Sequence, residues 1–169
     1  MEINQLPAYD RSDNPTGCCP RFKPEGWDLQ ELHFKDKLFV RVETKSLFHI
    51  PVNMGQIFSK TFKAIEEANA MDGDQFVILT NAPSPWKSEH YFAVAKAVAG
   101  QELVKLNGSF LTKVFEGPYS RAPQWEEQTK ASVRERGKTA RKIYFFYTTC
   151  PSCAKFYGKN YVVVFAEVS

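Results

Sequence analysis

The sequence predicts an α+β domain made of two pseudosymmetric βαββ units with antiparallel strands, preceded by an extended N-terminal arm. Two observations predict this. Hydrophobic periodicity runs strand, helix, strand, strand from about residue 38 to 98, and repeats that order from about 109 to 168. The chain also echoes itself without gaps: Thr80, Pro83 and Ser84 stand over Thr148, Pro151 and Ser152, while Tyr91 to Val98 stands over Tyr161 to Val168. A duplicated unit of this kind leaves a cleft between its copies, and clefts hold ligands.

Residues 1–36 form the arm, polar and interrupted by Pro7, Pro15, Pro20 and Pro24, with Trp27 and Leu29 as apolar anchors. Residues 37–169 form a single domain. Leu38 to Phe48 alternates as a strand, Leu38, Val40 and Val42 against Arg41 and Glu43. A helix follows over Gly55 to Ala70, where Ile57, Phe58, Thr61, Phe62 and Ile65 make one apolar stripe. Gln75 to Thr80 and His90 to Val98 are strands joined by a loop holding Pro83, Pro85 and Trp86. Gly100 to Gly108 links the halves. The second copy runs through a strand at Ser109 to Phe115, a turn at Gly117 and Pro118, and a helix over Ala122 to Arg136 with Trp125, Thr129 and Val133 on one face. Strands at Lys142 to Thr148 and Asn160 to Val168 complete it.

A net charge of +3 is too mild to point to nucleic acid. The basic run from Lys130 to Lys142 reads instead as a solvated helix end whose cations complement the helix dipole. No apolar stretch approaches the ~20 residues that span a bilayer, and residues 1–14 carry neither a basic start nor an apolar run. The expectation is a cytoplasmic protein with reduced thiols, a small-molecule ligand, and no nucleic-acid or membrane partner. Fourteen Phe and seven Tyr exceed what a lean core requires, so part of them should line a pocket. Gly-x-Ser-x-Gly, Walker-type and dinucleotide-binding glycine patterns are all missing from the sequence.

The chemistry must then come from scattered groups. The four cysteines fall into two pairs, Cys18-Cys19 and Cys150-x-x-Cys153. That spacing suits three states: one thiophilic metal such as a structural zinc, four unligated thiols, or disulfide chemistry. Adjacent cysteines point apart in an extended chain, so a turn at Cys18-Cys19 is required for a shared ion. The Cys-x-x-Cys motif is placed between two strands, away from any helix N-terminus. Among carboxylates, Glu116 borders the Gly-Pro-Tyr turn, Glu167 shares strand parity with Tyr161, Val163 and Phe165, and Glu43 lies on one face with Phe39 and Arg41. Glu89-His90 is a candidate base and orienter. Glu116, Glu167 and Glu89 are the candidate catalytic acids. His49, beside Pro51, and the rings of Tyr119, Trp125, Tyr144, Phe146, Trp86 and Tyr91 are the candidate ligand contacts.

The two βαββ units, with Phe115-Glu116-Gly117-Pro118-Tyr119 at the turn into the second helix, resemble the GyrI-like (gyrase-inhibitor-like) small-molecule-binding family. The resemblance spans about residues 38–168. Cys18-Cys19-Pro20-Arg21-Phe22, His49-Ile50-Pro51 and Thr148 to Lys155 are similar to a subgroup often labelled hydrolase. The resemblance implies helices on one side of the sheet and a ligand groove between the halves. It also implies either binding of cationic aromatic compounds through a buried carboxylate, or hydrolysis of strained electrophiles by aromatic residues and a carboxylate. Sequestering without turnover and a gyrase-inhibitor-type protein interaction are the alternatives. The cysteine motifs and the long arm depart from the family pattern.

Overall fold

Strand alternation and two amphipathic stripes account for most of the architecture. A computed structural model describes residues 2–48 and 50–169; the candidate His49 lies outside the described residues. In chain order the elements are β1 (Glu31–Leu47), β2 (Ile50–Pro51), α1 (Met54–Glu67), β3 (Ile78–Ser84), β4 (Lys87–Ala93), β5 (Glu102–Glu116), a one-turn 3-10 helix (Tyr119–Arg121), α2 (Ala122–Glu135), β6 (Ala140–Tyr147), α3 (Pro151–Tyr157) and β7 (Tyr161–Val168). Six strands pair antiparallel in the order β1-β4-β3-β6-β7-β5, and β5 pairs back onto β1 to close a barrel. The expected antiparallel sheets are therefore one closed sheet. Its weakest junction joins β3 to β6 through a single residue pair, Thr80 with Phe145.

Each strand presents one face outward to a helix and the other inward. On β7, Val162, Val164 and Ala166 pack under Trp125 and Val133 of α2, while Val163 and Phe165 face the interior cluster. On β4, Phe92 lies beneath Phe58 and Phe62 of α1, with ring centroids 5.0 and 5.3 Å away, and Tyr91 turns inward to Tyr144 at 5.8 Å. Burial on both faces explains why His90 to Ala93 is an unbroken buried run. Each fully buried aliphatic or Phe side chain contributes roughly 1.5–3 kcal/mol. Among the described residues, no helix is long and apolar enough to cross a membrane.

Several expected boundaries move. The arm ends at Gln30 rather than residue 36, because β1 begins at Glu31 and its alternation is broken by a bulge between Phe34 and Lys37, where Asp36 takes φ +52°. The link at Gly100 to Gly108 is mostly strand, since β5 already pairs β1 from Glu102. A short helix, α3, occupies the segment read as a loop between two strands. In its first stretch the gapless echo is one residue out of step with the strand faces, whereas Tyr91 and Tyr161 of the second both face inward. Leu79 points inward with Tyr91, whereas Tyr147, placed over it, stacks outward on Phe145 beside Tyr119.

The arm is built into the fold. Trp27 is fully buried, and Leu6, Tyr9 and Phe22 are nearly so. Three arm rings converge on Phe146 of β6: Tyr9 at 5.9 Å, Phe22 at 6.1 Å and Trp27 at 5.6 Å. Backbone bonds fix this packing, Tyr9 N–H donating to Asp74 O just before β3 and Leu29 N–H to Thr112 O on β5. The Thr112 hydroxyl donates to Trp27 O at 2.5 Å.

Candidate functional site

Four of the candidate residues, drawn from three strands, turn into the barrel on the side away from the arm. Glu89 and Tyr91 sit two apart on β4, and Tyr144 lies across from Tyr91 in an edge-on contact at 87°. Glu167 stands on the inward face of β7, opposite Phe110 of β5 and Lys142 of β6. Its carboxylate lies against Gly108; a Cβ there would come within 3.3 Å of Glu167 Oε1, and the glycine has φ +129°. That position therefore needs glycine on two counts: backbone conformation and room for the acid.

Arg41 of β1 organises the acids. Its Nε donates to Glu89 Oε2 at 3.0 Å and one Nη makes a second, shorter bond to the same oxygen. Another bond runs to Glu43 Oε1 at 2.7 Å, and Glu102 Oε1 is 3.7 Å away. The Glu89 and Arg41 side chains are only 15% and 19% exposed, whereas Glu43 is 45% exposed, so the Glu89 pair is the one shielded from solvent. The hydrogen bonds that Arg41 donates to Glu89 and then to Glu43 hold the guanidinium well above its usual pKa. Burial raises the Tyr144 phenol strongly, and the neighbouring Tyr91, Glu167 and Glu89 add to the rise. Burial likewise raises Tyr91. Both phenols are therefore neutral O–H donors at physiological pH, facing two carboxylates. Among the described residues, Glu167 has no cation within 4.0 Å; Lys142, across from it, instead places its Nζ 5.2 Å from the Tyr144 ring centre.

The Glu89-His90 pair does not form an acid–base dyad. Neighbours on a strand point to opposite faces, so Glu89 faces Arg41 while His90 is fully buried under α1. There its two ring nitrogens bond the hydroxyls of Thr80 and Thr44, each at 2.8 Å, with the Phe58 ring edge-on at 4.8 Å. Burial lowers its pKa to about 4. His90 is a neutral core residue.

The other candidates scatter. Glu116 is exposed at the far end of β5, opposite Tyr161. Trp125 is core, stacked on Phe115 at 5.5 Å beneath α2. Phe146 is covered by the arm. Trp86 is 52% exposed on the β3–β4 turn beside Phe48. Tyr119 leans edge-on against Tyr147 outside the barrel and donates to Thr149 O. Arg41, Lys142 and Gly108 escape the sequence-based candidates; the available signal was parity, since Arg41 and Glu43 share a face and only strand pairing brings Glu89 to them.

The four cysteines meet at a second place, between the arm and α3. All four Sγ atoms lie within 4.8 Å of one another, and all are free thiols. The turn required at Cys18-Cys19 is present: Gly17 adopts φ +72° and Thr16 Oγ1 accepts the Cys18 N–H at 3.2 Å. The motif lies between β6 and β7 as expected. Cys150, however, is the N-cap of α3 and Cys153 is in its first turn, which corrects the expectation of a place away from any helix N-terminus. Burial raises Cys153, yet hydrogen bonds from Thr16, the Cys19 backbone and the thiols of Cys150 and Cys19 bring it down to about 7. Beside this cluster, a cleft of about 280 Å³ is lined by Arg21, Phe22, Thr148, Thr149, Tyr157, Lys159 and Tyr161. This cleft and the carboxylate–phenol cluster are different places. The cleft offers two cations and no acid, while the cluster holds both a proton acceptor and proton donors.

The profile of the family described as bacterial hydrolase matches residues 9–168, arm included. No curated protein matches the chain. An uncharacterized conserved protein from Listeria innocua is similar in structure, with TM-score 0.61 and 12% identity over 84% of this chain and 92% of that one. A hydrolase from Listeria innocua is similar with TM-score 0.55 and 13% identity over 85% and 92%. At such identities the likeness is one of fold.

Proposed function

We infer that this chain, which belongs to the bacterial hydrolase family, binds a small aromatic or apolar electrophile at the Glu89–Tyr91–Tyr144–Glu167 cluster and hydrolyses it. The observation that carries the reading is the convergence of two carboxylates and two neutral phenols on one inward surface, away from the arm's rings. A structural relative called a hydrolase is consistent with it. We read the chain as two GyrI-like βαββ copies: β1-α1-β3-β4 and β5-α2-β6-β7 share an element order, and in both the last strand pairs with the first and the third. The cluster draws on both copies, as a site between halves requires.

In this mechanism Glu167, without an ion-pair partner among the described residues, takes a proton from the attacking water. Tyr144 and Tyr91 donate hydrogen bonds to the departing atom and offer ring faces to the substrate. Glu89, fixed by Arg41, lowers the energy of positive charge developing on the electrophile. The test is turnover of a panel of aryl epoxides, cyclopropane-bearing alkylators and aryl esters, followed by mass spectrometry. Glu167→Gln should slow hydrolysis by about 100-fold or more while leaving binding within a few-fold. Binding without turnover by the unaltered protein would make it a sequestering module. Turnover indifferent to Glu167→Gln and Tyr144→Phe would put the site elsewhere.

A further inference from the structure

We propose that Cys18, Cys19, Cys150 and Cys153 bind one zinc ion, which clips the N-terminal arm to the loop and helix α3 of the second half. The proposal is independent of the carboxylate–phenol reading. It starts from convergence: two cysteines from the arm and two from a segment more than a hundred residues away bring their sulfurs within 4.8 Å of one another. A regular tetrahedron with zinc–sulfur bonds of about 2.3 Å has sulfur–sulfur edges of about 3.8 Å. The Cys18–Cys19 edge is 3.8 Å. That is far too long for a disulfide, whose sulfurs lie ~2.05 Å apart.

The surroundings are those of a ligand set held from behind. Cys19 Sγ accepts the Cys150 N–H at 3.4 Å, the kind of outer-shell bond that steadies a thiolate on a metal. Thr16 Oγ1 lies 3.4 Å from Cys153 Sγ. Tyr157, at the end of α3, donates its hydroxyl to Cys19 O at 2.5 Å, and Arg21 stacks over the Tyr157 ring at 4.6 Å. Arm and helix are thus bonded to each other around the four sulfurs. Four thiolates around one divalent ion carry two net negative charges, and Arg21 is the cation nearest in sequence to the cluster's arm half. An all-sulfur set selects a thiophilic ion, and four protein ligands leave no open position, so the site is structural. On binding, the thiols give up their protons to solvent.

The clip has a consequence for the rest of the arm. Phe22 and Trp27 follow Cys19 by three and eight residues, and they cap the barrel interior at Phe146. Releasing the ion should loosen this cap before it unfolds the barrel, because few backbone bonds tie residues 2–30 to the strands.

The experiment uses the full untagged chain. Elemental analysis should return about one zinc per chain, and apoprotein reloaded with Co²⁺ should show the strong visible bands of tetrahedral cobalt thiolate. Cys153→Ser and, separately, the more exposed Cys18→Ser should each lose zinc at least tenfold more readily to a chelator. Removing the metal from the unaltered protein should speed tryptic cleavage after Arg11 and Arg21 by at least tenfold. Four free thiols with no zinc or cobalt uptake, or two disulfides in protein purified without oxidant, would overturn the site. An arm equally protected with and without metal would overturn the clip.

Discussion

From the Tyr144–Phe165 pair, the barrel interior runs two ways. Towards the arm lie Phe146, Phe22, Trp27 and Tyr9, ring against ring with no charge among them. Away from it lie Tyr91, Glu89, Glu167, Arg41 and Lys142, a polar surface on which the Arg41–Glu89 pair is the shielded ion pair. The same strands, at the same parity, build both. The arm is what separates them, because it brings apolar filling to one side and leaves the other to acids and phenols. On the proposed reading, the arm fills one part of the interior with its own rings and leaves the charged part to a small molecule.

Substitutions can break or sharpen this contrast. The largest effect is expected from Trp27→Ala, which removes a fully buried indole and should cost about 3–5 kcal/mol in a urea melt; a loss below ~1 kcal/mol would mean the arm side is not core. Acid probes the layer outside the barrel. Because His90 stays neutral down to pH about 4 when folded but takes a proton near 6.5 when unfolded, its burial contribution is intact above pH 6.5 and is lost as pH falls towards 4. The loss should amount to roughly 3 kcal/mol at most, and His90→Gln should flatten that part of the stability–pH profile. Gly108→Ala comes next: about 1–2 kcal/mol from the positive φ and the crowded Glu167 carboxylate, with ligand binding weakened as well. Tyr144→Phe should be smallest for stability, within about 0.5–1.5 kcal/mol, yet it should reduce turnover. If instead Tyr144→Phe destabilises as much as Trp27→Ala, the two sides are both core and the contrast fails.

Much of this was legible in the sequence because it was periodic. The stripe Trp125, Thr129 and Val133 predicts the buried face of α2 and its start at Ala122. Thr61 and Ile65 do the same for α1. The four-cysteine pattern pointed to a meeting place that the fold provides. What failed did so for local reasons. The bulge at Phe34/Lys37 interrupts the alternation of β1, so its first residues read as arm. Helix α3 has seven residues and a proline at its start, too short for a helical period to show. Glu89 and His90 looked like partners because they are neighbours in sequence, and strand geometry sends them to opposite sides of the sheet. Trp27 read only as an apolar anchor of the arm, because no local pattern announces that Phe22 and Trp27 will meet Phe146 more than a hundred residues later.

The single rung between β3 and β6 has a further consequence, for solubility. A closed barrel has no edge strands, and so no template onto which another chain can add. Here the ring is closed at that point by one residue pair, with the arm's Leu6 and Tyr9 bonded to Gln75 and Asp74 just ahead of β3. Loss of residues 1–30 would therefore do more than bare a greasy patch. It would leave two half-open strand margins at one gap, and the truncated chain should self-associate by strand addition, gaining β signal as it grows.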